Sequence, residues 1–383
     1  MKSRPLLASL QFLPAGLKTR IRLLFDRAVL ASCQRKPGPR KVGGVLLLHG
    51  LGDLLIGAGA VEALHDHLGR RGLRSRLFVD EGNVEFARAY LRVDEVVGLH
   101  WLRFDHDPRY RWKRLRALAA SGEYAVVYQP TVNRRLTIED SLMRAMGAPE
   151  RVGLDGTPLF IQPWERDWGD GQYSQLVRLP PQPRHDQYAY ADFLAAVGIE
   201  ARLEPWRLSA GGSALSPREP FMVISDQASN DQKRWPLERF LQVAEQLATP
   251  RQWKVVAVGW PEARAMPESV IDLRGKTDGA ELPRLLGDAR FILSNDSGPL
   301  HLGMALGKPT VAVGGGGMPE RYFPYPYPDP VSAVVVERRL PCAGCGWHCG
   351  FRVAASGVAS CVDEVTPGQV LGVAEALLQR MGL

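Results

Sequence analysis

The sequence lacks the long apolar runs and the paired cysteines that mark membrane-spanning and secreted proteins. No apolar run approaches the roughly 18 residues that a spanning helix needs. Residues 6–13 are interrupted by Gln11 and followed by a basic segment, which is unlike a signal-peptide core. Five cysteines in 383 residues, four of them within twenty positions, are too few and too clustered for a disulfide scaffold. We therefore expect a cytoplasmic protein.

A net excess of positive charge is also absent from most of the chain, although the formal net charge of the whole is +7. Residues 1–41 hold ten Lys and Arg and one acid, so their net charge is +9. The remaining 342 residues hold 38 basic and 40 acidic groups, a net charge of −2. This distribution excludes a nucleic-acid footprint along the chain, because the basic excess belongs to the leader alone.

The basic leader contains one segment, residues 17–30, with the apolar spacing of an amphipathic helix. Its apolar positions are Leu17, Ile21, Leu24, Phe25 and Ala28. Such a helix suits an anionic membrane surface, and it equally suits docking on the protein's own surface. Both interpretations stay open at this point.

The rest of the chain, with 45% hydrophobic residues, alternates between apolar strand patterns and helical patterns. A strand over 42–48 and a helix over 53–68 start one alternation, and a strand over 221–224 starts a second. Strands separated by helices predict an α/β fold with two Rossmann-like domains, whose parallel sheets face a cleft. The predicted divisions are a leader at 1–41, an N-terminal domain at 42–202, a linker at 203–220 and a C-terminal domain at 221–383.

The first candidate site segment is the glycine turn that follows the first strand, with Gly50, Gly52 and Asp53. The segment begins with a His-Gly pair, but the sequence has no Gly-x-Ser-x-Gly elbow of an α/β-hydrolase. Leu55 breaks the Gly-x-Gly-x-x-Gly dinucleotide pattern. A tight turn that lets a substrate approach the backbone remains. Asp53 is then either a helix cap or a catalytic base.

A second segment, residues 291–302, predicts a buried strand that opens onto a helix near Pro299. Asp296, Ser297 and Gly298 then lie at a helix N-terminus, where free amides favour an anion. His301 in the first turn would add a donor to a phosphate. The alternative is an Asp/Ser cap with a packing histidine.

A third segment places Lys233 just before a predicted helix start at Pro236. This cation follows the strand at 221–224, so it faces the same sheet edge as the Asp296 loop. It is suited to neutralising a diphosphate, and it is equally consistent with a solvated basic turn.

Together these segments resemble heptosyltransferase-type enzymes of glycosyltransferase family nine. The matching motifs are residues 50–53, 233–236, and 295–301 followed by 305–309. The resemblance implies a GT-B fold with the acceptor on the N-terminal domain and the nucleotide-sugar on the C-terminal one. It also implies an inverting, metal-independent transfer to a hydroxyl of lipopolysaccharide or another surface glycan.

The same resemblance implies a role for each matching residue. Asp53 corresponds to the general base, and Lys233 to the lysine that contacts the diphosphate. Asp296, Ser297, Gly298 and His301 form the donor-phosphate loop, and Glu262 is similar to an acid that contacts the nucleotide ribose.

Two departures from the family pattern leave the sugar and the acceptor open. Leu48 and His49 stand where a polar or basic, serine-containing approach to the turn is typical, and the glycine- and proline-containing loop at 314–326 resembles a subgroup feature rather than the core lipopolysaccharide enzymes. The sequence does not determine the nucleotide base. Two other functions remain as alternatives: a GT-B sugar-nucleotide epimerase or hydrolase, and a non-catalytic GT-B binding module.

Four cysteines near the C-terminus have spacings that suit a tetrahedral zinc or iron site. They are Cys342, Cys345, Cys349 and Cys361. The resemblance implies that this cluster is a structural knuckle, because similar cysteine groups occur near the C-terminus of many family members. Free or redox-active thiols and disulfides are the alternatives. Cys33 stands alone.

Overall fold

The computed structural model describes residues 14–36, 38–201, 203–327, 332–349, 353 and 357–383. The expectations for residues 1–13, including the apolar stretch at 6–13, lie outside the described residues. The chain divides into two compact units. The first comprises Met1–Leu48, Ala63–Glu81 and Val93–Leu179, and the second comprises His49–Glu62, Gly82–Arg92 and Pro180–Leu383. The domain boundaries drawn from the sequence stay a prediction.

The first unit contains a six-stranded parallel sheet in the order β3-β2-β1-β4-β5-β6. Its strands are β1 Val42–Leu47, β2 Arg74–Asp80, β3 Glu95–Leu99, β4 Tyr124–Gln129, β5 Glu150–Leu154 and β6 Gln175–Val177. Every residue of the central strand β1 is buried, which explains its continuous apolar sequence. Val45 of β1 pairs with Leu77 of β2 on one side and with Tyr128 of β4 on the other.

The second unit contains another six-stranded parallel sheet, in the order β12-β11-β10-β7-β8-β9. Its strands are β7 Phe221–Ser225, β8 Lys254–Ala257, β9 Val270–Asp272, β10 Phe291–Asn295, β11 Thr310–Gly315 and β12 Ala333–Arg338. Since all the pairings are parallel, the loops that follow β7, β8, β10 and β11 leave the same edge of the sheet. Ligands bind at this edge in open α/β sheets. The predicted parallel α/β fold is confirmed.

Helices accompany the strands throughout the described residues. They are α1 Ala15–Ala31, α2 Leu51–Arg70, α3 Val84–Tyr90, α4 Trp101–His106, α5 Pro108–Ser121, α6 Ser141–Met146, α7 Pro163–Gly169, α8 Asp186–Ala196, α9 Leu237–Ala248, α10 Glu281–Asp288, α11 Gly298–Ala305, α12 Ser360–Asp363 and α13 Pro367–Arg380. Their ends follow local chemistry. Asp107 accepts hydrogen bonds from two backbone amides at the start of α5, and Thr366 forms a capping box with Gln369 at the start of α13.

The leader helix α1 docks on the first unit through a buried ion pair. Asp26 accepts two hydrogen bonds from Arg111 of α5, at 2.6 and 2.5 Å, and the two side chains are only 1% and 2% exposed. The inward face of α1 therefore centres on Asp26. The apolar positions Leu17, Ile21 and Leu24 remain 37–58% exposed. No helix in the described part of the chain is long and apolar enough to cross a membrane.

Candidate functional site

Asp53 lies in the first turn of α2, directly after the glycine turn that follows β1. The helix begins at Leu51, so Asp53 is inside the helix rather than at the capping position before it. Its side chain is half-buried and accepts a long hydrogen bond, 3.4 Å, from the hydroxyl of Tyr322. The phenol thus contributes to the orientation of the Asp53 carboxylate, a group that can act as a proton acceptor.

The glycine turn packs against the helix start at residues 297–301. A Cβ atom on Gly52 would lie 2.8 Å from Cδ2 and 3.2 Å from Nε2 of His301, closer than carbon contacts allow. A Cβ atom on Gly298 would lie 3.1 Å from Cδ2 of Leu51. A side chain at position 52 would therefore force a shift in the structure, whereas one at position 298 would need the Leu51 side chain to yield by a few tenths of an ångström. The structure brings the Asp53 turn and the 296–301 loop together within the second unit.

Lys233 and Asp296 form an ion pair at the carboxyl edge of the second sheet. Lys233 Nζ lies 2.9 Å from Asp296 Oδ2, and both side chains are less than 15% exposed. Burial pushes the pKa of Asp296 upward. The charge and hydrogen bond of Lys233 outweigh burial and hold that pKa below its usual value. Lys233 is thus a partly buried cation rather than a solvated basic turn.

Asn295 fixes the backbone that carries this pair. Its side-chain oxygen accepts a hydrogen bond from Trp235 N at 3.0 Å, and its amide nitrogen donates to Asp226 O at 2.6 Å. Trp235 is 1% exposed and donates from its indole nitrogen to Val365 O at 2.8 Å. The segment after Lys233 is therefore anchored to the ends of β7 and β10.

The start of α11 keeps its first amides without a side-chain cap. Ser297 stands at the capping position, yet its hydroxyl donates to Asn295 O at 3.3 Å instead of accepting from the helix. Pro299 occupies the first turn, where its missing N–H has no partner to lose. The amides at this end of the helix therefore favour an anionic ligand.

His301 is buried in an aromatic cluster and is uncharged at neutral pH. Its Nδ1 shares a hydrogen bond of 2.6 Å with the hydroxyl of Tyr325, and its ring stacks on Phe323 with centroids 5.4 Å apart. Burial lowers the pKa of His301 to about 4, although the charge of Asp296 opposes this shift. A neutral imidazole presents one donor and one acceptor nitrogen, and Nε2 is the nitrogen near Gly52.

Arg321 and Tyr322 are site residues that the sequence analysis did not identify. The Arg321 guanidinium donates two hydrogen bonds to the carboxylate of Asp186, at 3.0 and 2.5 Å. Burial and the negative charge of Asp53 raise the pKa of Tyr322 well above its usual value, so its hydroxyl stays protonated. In the sequence, the loop at 314–326 that carries both residues is recognisable only as a departure from the family pattern. Its pairing with Asp186, 135 positions away, has no local sequence signature.

Glu262 lies in an exposed loop that follows β8, at the same sheet edge as Asp296. Its Oε2 accepts from Gln227 Nε2 at 3.0 Å and from Arg274 Nη1 at 3.5 Å. Gln227 follows β7, and its side-chain amide forms two hydrogen bonds with the backbone of Trp260: Nε2 donates to Trp260 O, and Oε1 accepts from Trp260 N. Glu262 is therefore held in place but remains accessible to a ligand.

The four clustered cysteines, all among the described residues, line one pocket and form no disulfide. Burial and the neighbouring thiols raise the pKa of Cys349 to about 11. Within the described ranges, no group of three or more His, Cys, Asp or Glu side chains is arranged to hold a metal ion. The predicted metal knuckle stays a prediction.

Comparison with known proteins identifies a domain in the second half of the chain. Residues 191–345 match the model of glycosyltransferase family 9 (heptosyltransferase). The lipopolysaccharide core heptosyltransferase OpsX of Haemophilus influenzae is 24% identical over 209 residues, which are 50% of this chain and 56% of that protein. The chain thus spans little more than half the length of this curated relative.

Solved structures share the fold. The ADP-heptose lipopolysaccharide heptosyltransferase II of E. coli aligns with a TM-score of 0.64 at 18% identity, over 89% of this chain and all of that one. TibC of enterotoxigenic E. coli, described as an iron-containing dodecameric glycosyltransferase, aligns with a TM-score of 0.55 at 18% identity, over 90% and 78%. The resemblance to glycosyltransferase family nine and the GT-B fold class are confirmed.

Proposed function

We propose that this chain, whose residues 191–345 match the glycosyltransferase family 9 model, is an inverting glycosyltransferase. It moves a sugar from a nucleoside diphosphate to a hydroxyl of lipopolysaccharide or another surface glycan. The observation that carries the proposal is the packing of the Asp53 turn against the helix start of α11, through Gly52 and His301. A carboxylate that can accept a proton and a set of anion-binding groups are thereby joined in one unit.

The anion-binding groups suit the leaving diphosphate. Negative charge grows on the diphosphate as the sugar departs, and groups already in place stabilise it without rearrangement. Lys233 supplies a positive charge, and the uncapped start of α11 supplies backbone amides near Ser297 and Gly298. His301 contributes a neutral donor beside them. Glu262, after the neighbouring strand, is proposed to accept a hydrogen bond from the ribose.

Asp53 is the proposed general base. The acceptor hydroxyl must lose a proton as it attacks the anomeric carbon, and a carboxylate within hydrogen-bond reach can take it. Tyr322 donates a long hydrogen bond to one oxygen of Asp53, which helps to orient the carboxylate toward the acceptor. A single displacement from the face opposite the diphosphate would invert the anomeric configuration.

Asp53→Asn tests this proposal because it keeps the shape of the side chain and removes its basicity. We expect transfer to fall by on the order of 100-fold or more, while affinity for a nucleoside diphosphate is unchanged. Binding is measured by calorimetry with ADP, GDP, UDP and CDP. Asp231→Asn, at an exposed position of the same unit, is the matched control. Unchanged transfer by Asp53→Asn would disprove the catalytic role.

We also propose a structural metal at the four-cysteine cluster, with no metal needed for catalysis. The support is that Cys342, Cys345, Cys349 and Cys361 line one pocket, and thiolates are the ligands that zinc and iron prefer. Elemental analysis of the purified protein should give about one metal ion per chain. Cys345→Ser should remove it and lower the melting temperature, whereas Cys33→Ser should change neither. A metal-free native protein would exclude this proposal.

A membrane surface is a further proposed partner, at the cytoplasmic face. The support is that α1 is held by Asp26 while Leu17, Ile21 and Leu24 stay exposed beside basic side chains. We expect sedimentation with vesicles that contain anionic lipid, and loss of sedimentation when Leu17 and Leu24 are both changed to Ser. Equal sedimentation of the variant and the wild type would refute it.

A further inference from the structure

The segment that carries three of the clustered cysteines reaches back to the proposed donor site. Trp347 lies between Cys345 and Cys349, and its ring centre is 4.8 Å from Lys233 Nζ. The ring of Tyr322 lies 5.9 Å from the same nitrogen. The ammonium of Lys233 is thus surrounded by one carboxylate, that of Asp296, and by two aromatic rings.

The backbone at Trp347 adopts an unfavourable conformation. Its φ of +65° lies in the left-handed region, which is rare for bulky side chains and costs free energy. Such a conformation persists only where the surroundings impose it. The surrounding contacts therefore fix this tryptophan in place.

The indole packs against two glycines, Gly315 at the end of β11 and Gly317 in the loop that follows. A Cβ atom on Gly315 would lie 2.9 Å from the ring of Trp347, and one on Gly317 would lie 2.3 Å from it. Two backbone hydrogen bonds join this loop to the segment that carries Trp347, from Gly344 N to Gly316 O at 2.8 Å and from Gly346 N to Gly317 O at 2.7 Å.

Packing, rather than a side-chain hydrogen bond, sets the orientation of the ring. Trp347 is 9% exposed, and its indole N–H has no hydrogen-bond partner among the residues that the structure describes. An unpaired buried donor is unfavourable. The gain that offsets it must come from the faces of the ring, one of which lies near the ammonium of Lys233.

We infer that Trp347 is a positioning residue for Lys233, and that the cysteine-bearing segment serves to place it there. This inference rests on the proposed function. The face of an indole stabilises a cation without adding a negative charge. Lys233 is therefore held in place while only Asp296 opposes its charge. A second carboxylate in the place of Trp347 would cancel the charge that a diphosphate needs.

The inference is tested by binding of a nucleoside diphosphate to Trp347→Leu and Trp347→Phe. The probe is whichever of ADP, GDP, UDP and CDP binds the wild type most tightly in calorimetry. We expect about tenfold weaker binding for Trp347→Leu, and binding close to wild type for Trp347→Phe, which keeps an aromatic face. If Trp347→Leu fails to fold, Trp347→Met takes its place.

Two controls separate positioning from a general loss of structure. Trp253 precedes β8, at the opposite edge of the sheet, and has Arg251 over its ring at 5.5 Å. Trp253→Leu should leave binding unchanged. In a Lys233→Ala background, Trp347→Leu should weaken binding no further, because its effect passes through the lysine.

The outcomes distinguish two failures. If the wild type binds none of the four diphosphates, the proposed function fails and the inference fails with it. Two results would overturn only the inference, provided that the wild type binds a diphosphate. In the first, Trp347→Leu binds as tightly as the wild type. In the second, Trp347→Leu weakens binding by the same factor in the Lys233→Ala background as in the wild type.

Discussion

Gly52→Ala is the sharpest structural test of the candidate site, because a single methyl group enters the contact between the Asp53 turn and His301. The new Cβ atom would lie 2.8 Å from Cδ2 of His301. A relaxed contact needs about 3.4 Å, so one group must move by roughly 0.6 Å. The imidazole cannot yield freely, since Tyr325 holds it by a hydrogen bond and Phe323 stacks on it.

The size of the effect follows from a comparison with Gly59, in the same helix. Gly59 is exposed, and the nearest atom to its added Cβ is 4.0 Å away, so Gly59→Ala is free of steric conflict. Both substitutions gain helix propensity of up to about 1 kcal/mol. Their difference in unfolding free energy therefore measures the clash, about 1–3 kcal/mol for an overpacked position.

Thermal unfolding and transfer kinetics measure the two consequences. At about 2–4 °C per kcal/mol for a domain of 150–250 residues, the size range of the second unit, Gly52→Ala should melt roughly 2–12 °C below Gly59→Ala. Displacement of His301 by a large fraction of an ångström should also lower kcat/KM by on the order of tenfold or more. If Gly52→Ala melts together with Gly59→Ala and keeps wild-type kinetics, the packing argument is wrong.

Three further predictions concern other parts of the molecule. Tyr322→Phe should lower kcat less than about tenfold and leave diphosphate affinity unchanged, because it removes one long hydrogen bond to Asp53; a loss of diphosphate binding would contradict this role. Burial lowers the pKa of His301 and of His185 to about 4, below the unfolded value of 6.5. The unfolded chain therefore binds protons first as the pH falls, so stability present above pH 6.5 should decline by about 2 kcal/mol per histidine by pH 5. Denaturant titrations above pH 6.5 and at pH 5 measure this loss of unfolding free energy, and His185→Gln should make the loss between the two pH values smaller. Asp26→Ala should destabilise the first unit by about 3–5 kcal/mol, since it leaves a buried cation unpaired; a loss under 1 kcal/mol in chemical denaturation would refute it.

The elements best predicted from sequence are those whose local chemistry is complete. The run at residues 42–48 predicts β1 because a central strand is buried on both faces. Pro299 marks the start of α11, and Thr366 marks that of α13, since first-turn prolines and capping boxes are local features. By contrast, β6 and β9 have three residues each, too short for a period to be recognised.

The residues of the candidate site also differ in whether a local sequence signal marks them. Asp53, Lys233 and Asp296 were identified because each follows a strand or opens a helix within a recognisable motif. Arg321 and Tyr322 were not, because their partners lie 135 and 269 positions away in the chain. Trp347 has no local signal in the sequence for a similar reason, since its contact with Lys233 exists only after the sheet has formed.

The leader helix offers a lesson in how this chain can be altered. Because the guanidinium of Arg111 is 2% exposed and is paired with Asp26, a change at either position affects the other. A relative that lacks an acid at the first position should also lack the arginine at the second, and a shortened protein that starts at residue 42 should need Arg111→Leu or a similar apolar replacement to fold. Removal of the basic leader alone would thus leave the buried guanidinium of Arg111 without its carboxylate partner in the first unit.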